Sequence, residues 1–373
     1  MPRAAGRAPA DFAGRVQQWQ RSHGRHHLPW QGTRDPYRVW LSEVMLQQTQ
    51  VATVLDAYPR FLQRFPSVQA LAAAPQAEVL AQWSGLGYYS RARNLHRAAQ
   101  VVVAEHGGRF PPSAEALESL PGIGRSTAAA IAAFCFGERA AILDGNVKRV
   151  LARAFAFAGD LAIAAETAKL WRLAESLLPA TGIEAYTQGL MDLGASVCLA
   201  RAPRCLTCPV TEVCAARAAG RPGAYPVKTR KLRRGARRHA WLLLRWRGQV
   251  WLLQRPQQGV WAGLWSLPEF DSADDALAAL QALPGQPQAL PVIEHALTHF
   301  DWTLQPLRWP LPARLAKSHR DALARRWPEG RWVSIDEALT LGIPTPLRRL
   351  LLQQQAAEDP DPGPPVRIAP QDQ

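Results

Sequence analysis

Four cysteines within 17 residues, Cys198, Cys205, Cys208 and Cys214, constrain this chain more than any other feature. They stand in the run CLARAPRCLTCPVTEVC, with the spacing C-x6-C-x2-C-x5-C. Spacings this short let four thiolates converge on one metal centre, as C-x2-C pairs do repeatedly. Disulfides fit poorly, because the one other cysteine, Cys135, lies far away in an apolar helical stretch and reads as an inert core thiol. Zinc and an iron–sulfur cluster both stay open. Short all-cysteine zinc sites mostly pair two C-x2-C units. Here one such unit carries unequal arms, which favours the wider ligand cage of a [4Fe–4S] cluster.

A chain of 373 residues is long enough for two or three domains, each with its own core. It is 47% hydrophobic with 14 tryptophans, a globular rather than a disordered composition. Its formal net charge of +14 favours a polyanionic partner, nucleic acid ahead of an anionic membrane. The N-terminal MPRAAGRAPADFAGRV has no apolar core of signal-peptide type, and the longest apolar run, around 128–136, is too short to span a bilayer. The expectation is a soluble protein in a reducing, cytoplasmic setting, where free thiolates can ligate iron.

Residues 9–225 read as helices broken by short loops, with apolar positions recurring at three and four, as in Val39, Leu41, Val44, Met45 and then Val51, Val54, Leu55. SGLGYY, LPGIG and LDGN mark turns between them. Residues 226–238 form a basic linker, and 228–238 hold seven basic residues in eleven with no acid. That run is either a solvated linker or a phosphate-contacting arm. From 239 to 354, WLLLRW, VWLLQR and WVSI read as strands and the run near 276–282 as a helix, so a second, α+β domain is expected. Residues 355–373 read as a disordered tail.

Within the helical domain, residues 113–136 read as a helix, a Gly-rich hairpin and a second helix. Gly122 and Gly124 free the hairpin backbone, whose amides, with the following helix N-terminus, would accept one DNA phosphate. The same Pro-Gly-x-Gly turn also serves as ordinary helix punctuation. Asp144 precedes a helix and reads by itself as an N-cap. Glu43 sits on an amphipathic helix beside Leu41, Val44 and Met45, either solvated or drawn into an apolar pocket with a raised pKa.

Taken together and in order, LSEVMLQQTQ, GLGYYSRARNL, LPGIGRSTA, LDGNVKRV and the four-cysteine loop resemble the helix-hairpin-helix DNA glycosylases, and within them the MutY family of adenine DNA glycosylases. The resemblance runs over roughly residues 15–225 and implies a mainly α catalytic domain, a [4Fe–4S] cofactor and a Nudix-like second domain over 239–354. It implies a substrate class of duplex DNA with A:8-oxoguanine or A:G mispairs, bound by a monomer without membrane contact, in a bacterial cytoplasm. Glu43 would be the acid that protonates adenine and Asp144 the carboxylate that stabilises the oxocarbenium-like sugar, once the adenine is flipped out of the duplex. Gln48 and Tyr88 would wedge into the gap beside 8-oxoguanine, and Trp30 would line the region around the adenine pocket. Ser126 stands where the endonuclease III branch carries a Schiff-base lysine, which implies base excision without efficient strand cutting.

In the second domain, Leu297, Thr298 and His299 align with a Phe-Ser-His segment that reads 8-oxoguanine in the family. Thr298 keeps a hydroxyl, while Leu297 loses the aromatic ring. The acidic run that Nudix hydrolases need for Mg²⁺ is missing, so the domain reads as a lesion reader without phosphohydrolase activity. Two rival classes remain: an endonuclease III-like or G·T mismatch glycosylase, and a non-catalytic DNA-binding protein braced by a metal.

Overall fold

The computed structural model describes residues 9–229 and 234–358. They divide into two compact units. The first takes residues 9–74 and 91–229. The second takes 75–90 and 234–358. Residues 75–90, continuous in sequence with the helical domain, thus belong to the second unit.

The first unit is helical. Its Pro9–His23 helix packs along Ile183–Ser196, which in turn packs on Gly145–Ala154. Phe12, Val16, Val147, Leu151, Tyr186, Leu190 and Leu193 meet in that core. The approach of the last two helices depends on Gly194, where an added Cβ would stand 2.6 Å from the Asn146 Cβ. The hairpin comprises Ala114–Glu118 and Arg125–Ile131, and the chain then passes into a π-helical turn, Ala132–Phe136, rather than continuing as one regular helix.

The second unit is built on a sheet whose central strands are β1 (Gly235–Trp246) and β7 (Phe300–Pro310), parallel and paired from Gly235↔Phe300 to Arg245↔Pro310. Outward from β1 lie β2 (Gln249–Gln254) and then β3 (Trp265–Ser266), with β8 (Arg331–Ser334) also on β2 and β4 (Glu269–Phe270) on β1. On β7 lie β5 (Gln288–Ala289) and β6 (Ile293–Ala296). Alternate residues of β1 serve two cores. Trp241 and Leu243 pack with Trp302, Leu304 and the Thr345–Glu358 helix. Leu242 and Leu244 pack with Trp309, Leu280 and Leu323. A strand buried on both faces reads as the unbroken apolar run WLLLRW.

Two boundaries and one strand differ from the sequence reading. Strand β1 begins at Gly235, so 235–238 of the expected linker are paired backbone, and 230–233 lie outside the described residues. The last helix continues to Glu358, so 355–358 of the expected tail are helical, and 359–373 lie outside the described residues. The 11-residue strand β7 was not singled out, because FDWTLQPLRWP interrupts its alternation with a proline. Pro306 is tolerated because its neighbour across that edge is the short β5.

Candidate active site and cysteine loop

Glu43 belongs to the helix Pro36–Leu46. Asp35 caps its start by accepting from Tyr37 N at 2.9 Å, and Pro36 occupies the first turn, where no amide is needed. Tyr37, Val39, Trp40, Leu41, Val44 and Met45 are buried around most of the circumference, which fixes the helix rigidly. Arg91 donates to the carbonyls of Val44 (2.8 Å) and Met45 (2.9 Å), satisfying the free C-terminal end. Arg91 lies inside the quoted GLGYYSRARNL motif, yet its part in holding the Glu43 helix was missed. An arginine in a helical run gives no sign of which remote carbonyls it will reach.

Glu43 retains some exposed surface as a residue, while its carboxyl is closely enclosed. Burial raises its pKa from 4.5 to about 7, and the nearby Asp144 charge pushes in the same direction. Asp144 is the N-cap of Gly145–Ala154 and accepts from Val147 N at 2.7 Å. Burial raises its pKa too, opposed by the Val147 and Asn146 amides and by Arg149 and Lys148, all of which favour the ionised form. Asp144 thus caps its helix through Val147 N.

Two cavities meet at Glu43. One, of about 610 Å³, is lined by Glu43, Asp144, Ser126, Gln48 and Arg25. The other, of about 380 Å³, is lined by Glu43, Trp30, Ser42, Phe134 and Gln188. Trp30 is nearly buried and meets Tyr58 edge-on at 5.6 Å. Ser126 accepts from Leu143 N at 3.1 Å, which ties the hairpin helix to the strand of chain entering Asp144. Gln48 takes a left-handed backbone, φ 56°, directly after the Glu43 helix.

Of the hairpin glycines, Gly122 needs to be glycine for the fold, with φ +77° and Asn94 Cβ 2.5 Å from where its own Cβ would stand. Gly124 has φ −91° and open space at the Cβ position, so the bend itself does not require it. Tyr88, Thr298 and His299 lie in the second unit. Thr298 and His299 are exposed in the loop between β6 and β7, and the Tyr88 hydroxyl lies 3.1 Å from the Thr298 hydroxyl.

All four clustered cysteines line one pocket, with Val150, Leu193 and Val197 behind them. Arg153, buried in the Asp144 helix, donates to Leu199 O (2.5 Å) and Ala200 O (3.1 Å) and reaches Cys198 Sγ at 3.5 Å. Arg149, one turn earlier, donates to Cys198 O at 2.7 Å. The helix capped by Asp144 thus grips the cysteine loop with its other end. Neither arginine was singled out in the run ILDGNVKRVLAR, residues 142–153. Burial pushes the Cys208 thiol up to about 11, and the neighbouring Cys198, Cys214 and Cys205 add to it. Such thiols ionise only against a positive centre. Among the described residues no three such groups are disposed to hold a single metal ion. A tetrahedral zinc would need its sulfurs about 3.8 Å apart, whereas a four-iron cluster takes one thiolate per iron and holds them wider. The four thiols lining this pocket are of the donor type that either centre takes. Cys135 stands apart in the π-helical turn, with its thiol pushed up to about 12, chiefly by burial.

Residues 41–176 match the HhH-GPD superfamily of base excision DNA repair proteins, and residues 240–353 match the NUDIX domain. An adenine DNA glycosylase of Buchnera aphidicola subsp. Acyrthosiphon pisum is 32% identical, over 91% of this chain and 96% of the relative. The chain belongs to the adenine DNA glycosylase family. The human adenine DNA glycosylase is also 32% identical, over 93% of this chain and 74% of its own. Among solved structures, a thermostable thymine-DNA glycosylase superposes with a TM-score of 0.50 and 30% identity, over 56% of this chain and 95% of its own. Within the adenine DNA glycosylase family the mainly α catalytic fold followed by a Nudix-like α+β domain is as expected from the sequence. No helix among the described residues is long and apolar enough to cross a membrane.

Proposed function

We propose that this chain binds DNA and excises adenine from mispairs with 8-oxoguanine or guanine. The observation that carries this reading is the convergence of Glu43 and Asp144 on one cavity, with the Glu43 pKa raised to about 7. A carboxyl that holds its proton near neutral pH can deliver it to the flipped adenine and turn the base into a leaving group. Asp144, supplied with amide and cationic neighbours that favour its charge, then faces the positive charge that develops on the sugar. The cavity holding Trp30 and Phe134 suits the base, and the one holding Asp144, Ser126 and Gln48 suits the sugar and the gap it leaves.

Ser126 has no amine for a Schiff base, so the chain cuts the base–sugar bond and leaves the strand intact. Gly122, Gly124 and the hairpin amides contact backbone phosphate, while Gln48 and Tyr88 fill the gap beside the lesion. Thr298 and His299 read 8-oxoguanine from the second domain. Cys198, Cys205, Cys208 and Cys214 hold a [4Fe–4S] cluster, whose contribution when bound is a rigid cross-link for the loop that carries Arg201 and Arg204. The protein acts as a monomer in the cytoplasm.

The thymine-DNA glycosylase likeness favours a G·T reading for the helical part, but it covers little more than half of this chain. Adenine DNA glycosylases match nine-tenths of it, second domain included. The deciding experiment incubates the protein with an A:8-oxoguanine duplex, treats with alkali and looks for cleavage at the adenine position. Product should appear there and with A:G, and none with T:G or 8-oxoguanine:C. Intact adenine strands, or a product from T:G alone, would refute the assignment. Borohydride should not trap the protein on DNA.

A further inference from the structure

Residues 75–90 belong to the second unit. Tyr89 donates its buried hydroxyl to Ile343 O at 3.1 Å. Leu80 packs where a side chain on Gly342 would touch it, at 3.2 Å. At the tip, the Tyr88 hydroxyl pairs with Thr298 Oγ1 at 3.1 Å. Tyr88 also carries φ +46°, a backbone state that an aromatic residue keeps only when its surroundings impose it. The turn reaches it through Gly85 and Gly87, both at positive φ. Tyr88 is 46% exposed.

We infer that Thr298 is a positioning residue for Tyr88: the second domain's hydroxyl aims the phenol before DNA arrives, so wedge and lesion reader act as one device. This rests on the reading of Tyr88 as a wedge. A threonine hydroxyl offers one donor and two acceptor sites, so it can hold the phenol and still meet a lesion edge. The consequence is that Thr298 acts on every substrate through Tyr88, including the A:G mispair that offers no oxidised base. A residue that touched only 8-oxoguanine would not.

The test uses the full-length protein and single-turnover excision on A:8-oxoguanine and A:G duplexes. Thr298→Val should slow both substrates by about five-fold, the worth of one ordinary hydrogen bond. Thr298→Ser should restore the rate. Tyr88→Phe should match Thr298→Val, and the double variant should be no slower than either single one. Multiplying losses, or a Thr298→Val defect confined to 8-oxoguanine, would overturn the positioning role while leaving the wedge reading in place. A Tyr88→Ala protein that excises at the full rate would overturn both.

Discussion

Glu43 and Asp144 line the same cavity, and the charge of Asp144 helps burial to hold the Glu43 pKa at about 7. The consequence for stability has a definite sign. A folded-state pKa above the unfolded value means that the native protein binds more protons between the two. Stability is therefore full below pH 4.5 and falls as pH rises towards 7, by about 3 kcal/mol for a shift of this size. Glu43→Gln removes that cost. The variant should melt at a higher temperature than the parent at pH 8 and lose the advantage at pH 4. Its excision rate should fall by at least about 100-fold with duplex binding kept. In the parent, the rate should decline above pH 7 as the acid ionises.

Asp144→Asn and Asp144→Ala separate the cap from the charge. Asparagine caps helices as well as aspartate, so melting should barely change, whereas alanine should cost about 1 kcal/mol. Excision should collapse in both, by about 100-fold or more. An active Asp144→Asn protein would show that the carboxylate serves only the helix.

The two hairpin glycines should respond differently to alanine. At Gly122 the new methyl meets the Asn94 Cβ, an atom too close to the backbone to swing away, in a left-handed conformation. A loss of more than about 1 kcal/mol is expected in chemical denaturation. Gly124→Ala should leave folding intact, since the site is open and φ is ordinary. If its backbone approaches a phosphate closely, that same variant should weaken duplex binding.

Purified under anaerobic conditions, the protein should be brown and contain about four irons per chain, the count of one such cluster. Cys208→Ser should lose colour and melt at a lower temperature, because the loop 198–214 loses a cross-link and leans more on the hydrogen bonds from Arg149 and Arg153. A colourless parent with one zinc would remove the cluster assignment.

Much of the site was legible because its chemistry is carried by short contiguous motifs. Glu43 was placed correctly as a carboxylate among apolar neighbours, and Asp144 as a residue opening a helix, since caps and amphipathic faces are local properties. What was not legible was long-range. Arg91 satisfies carbonyls 46 and 47 positions away, and Arg153 binds a loop 46 and 47 positions downstream. A side chain's partner at such separations depends on how helices pack, and no spacing rule encodes it.

The sequence by itself determined the residue types and order that identify the family, the four closely spaced thiols, and a serine rather than a lysine at position 126. Only the tertiary structure decided that Glu43 and Asp144, 101 residues apart, share a cavity that lifts the Glu43 pKa. It also decided that Tyr88, 210 residues from Thr298, is held by it. Protonation and aim are properties of an environment, set by which groups exclude water and which atoms lie within hydrogen-bond reach. Those are fixed when helices and sheet pack.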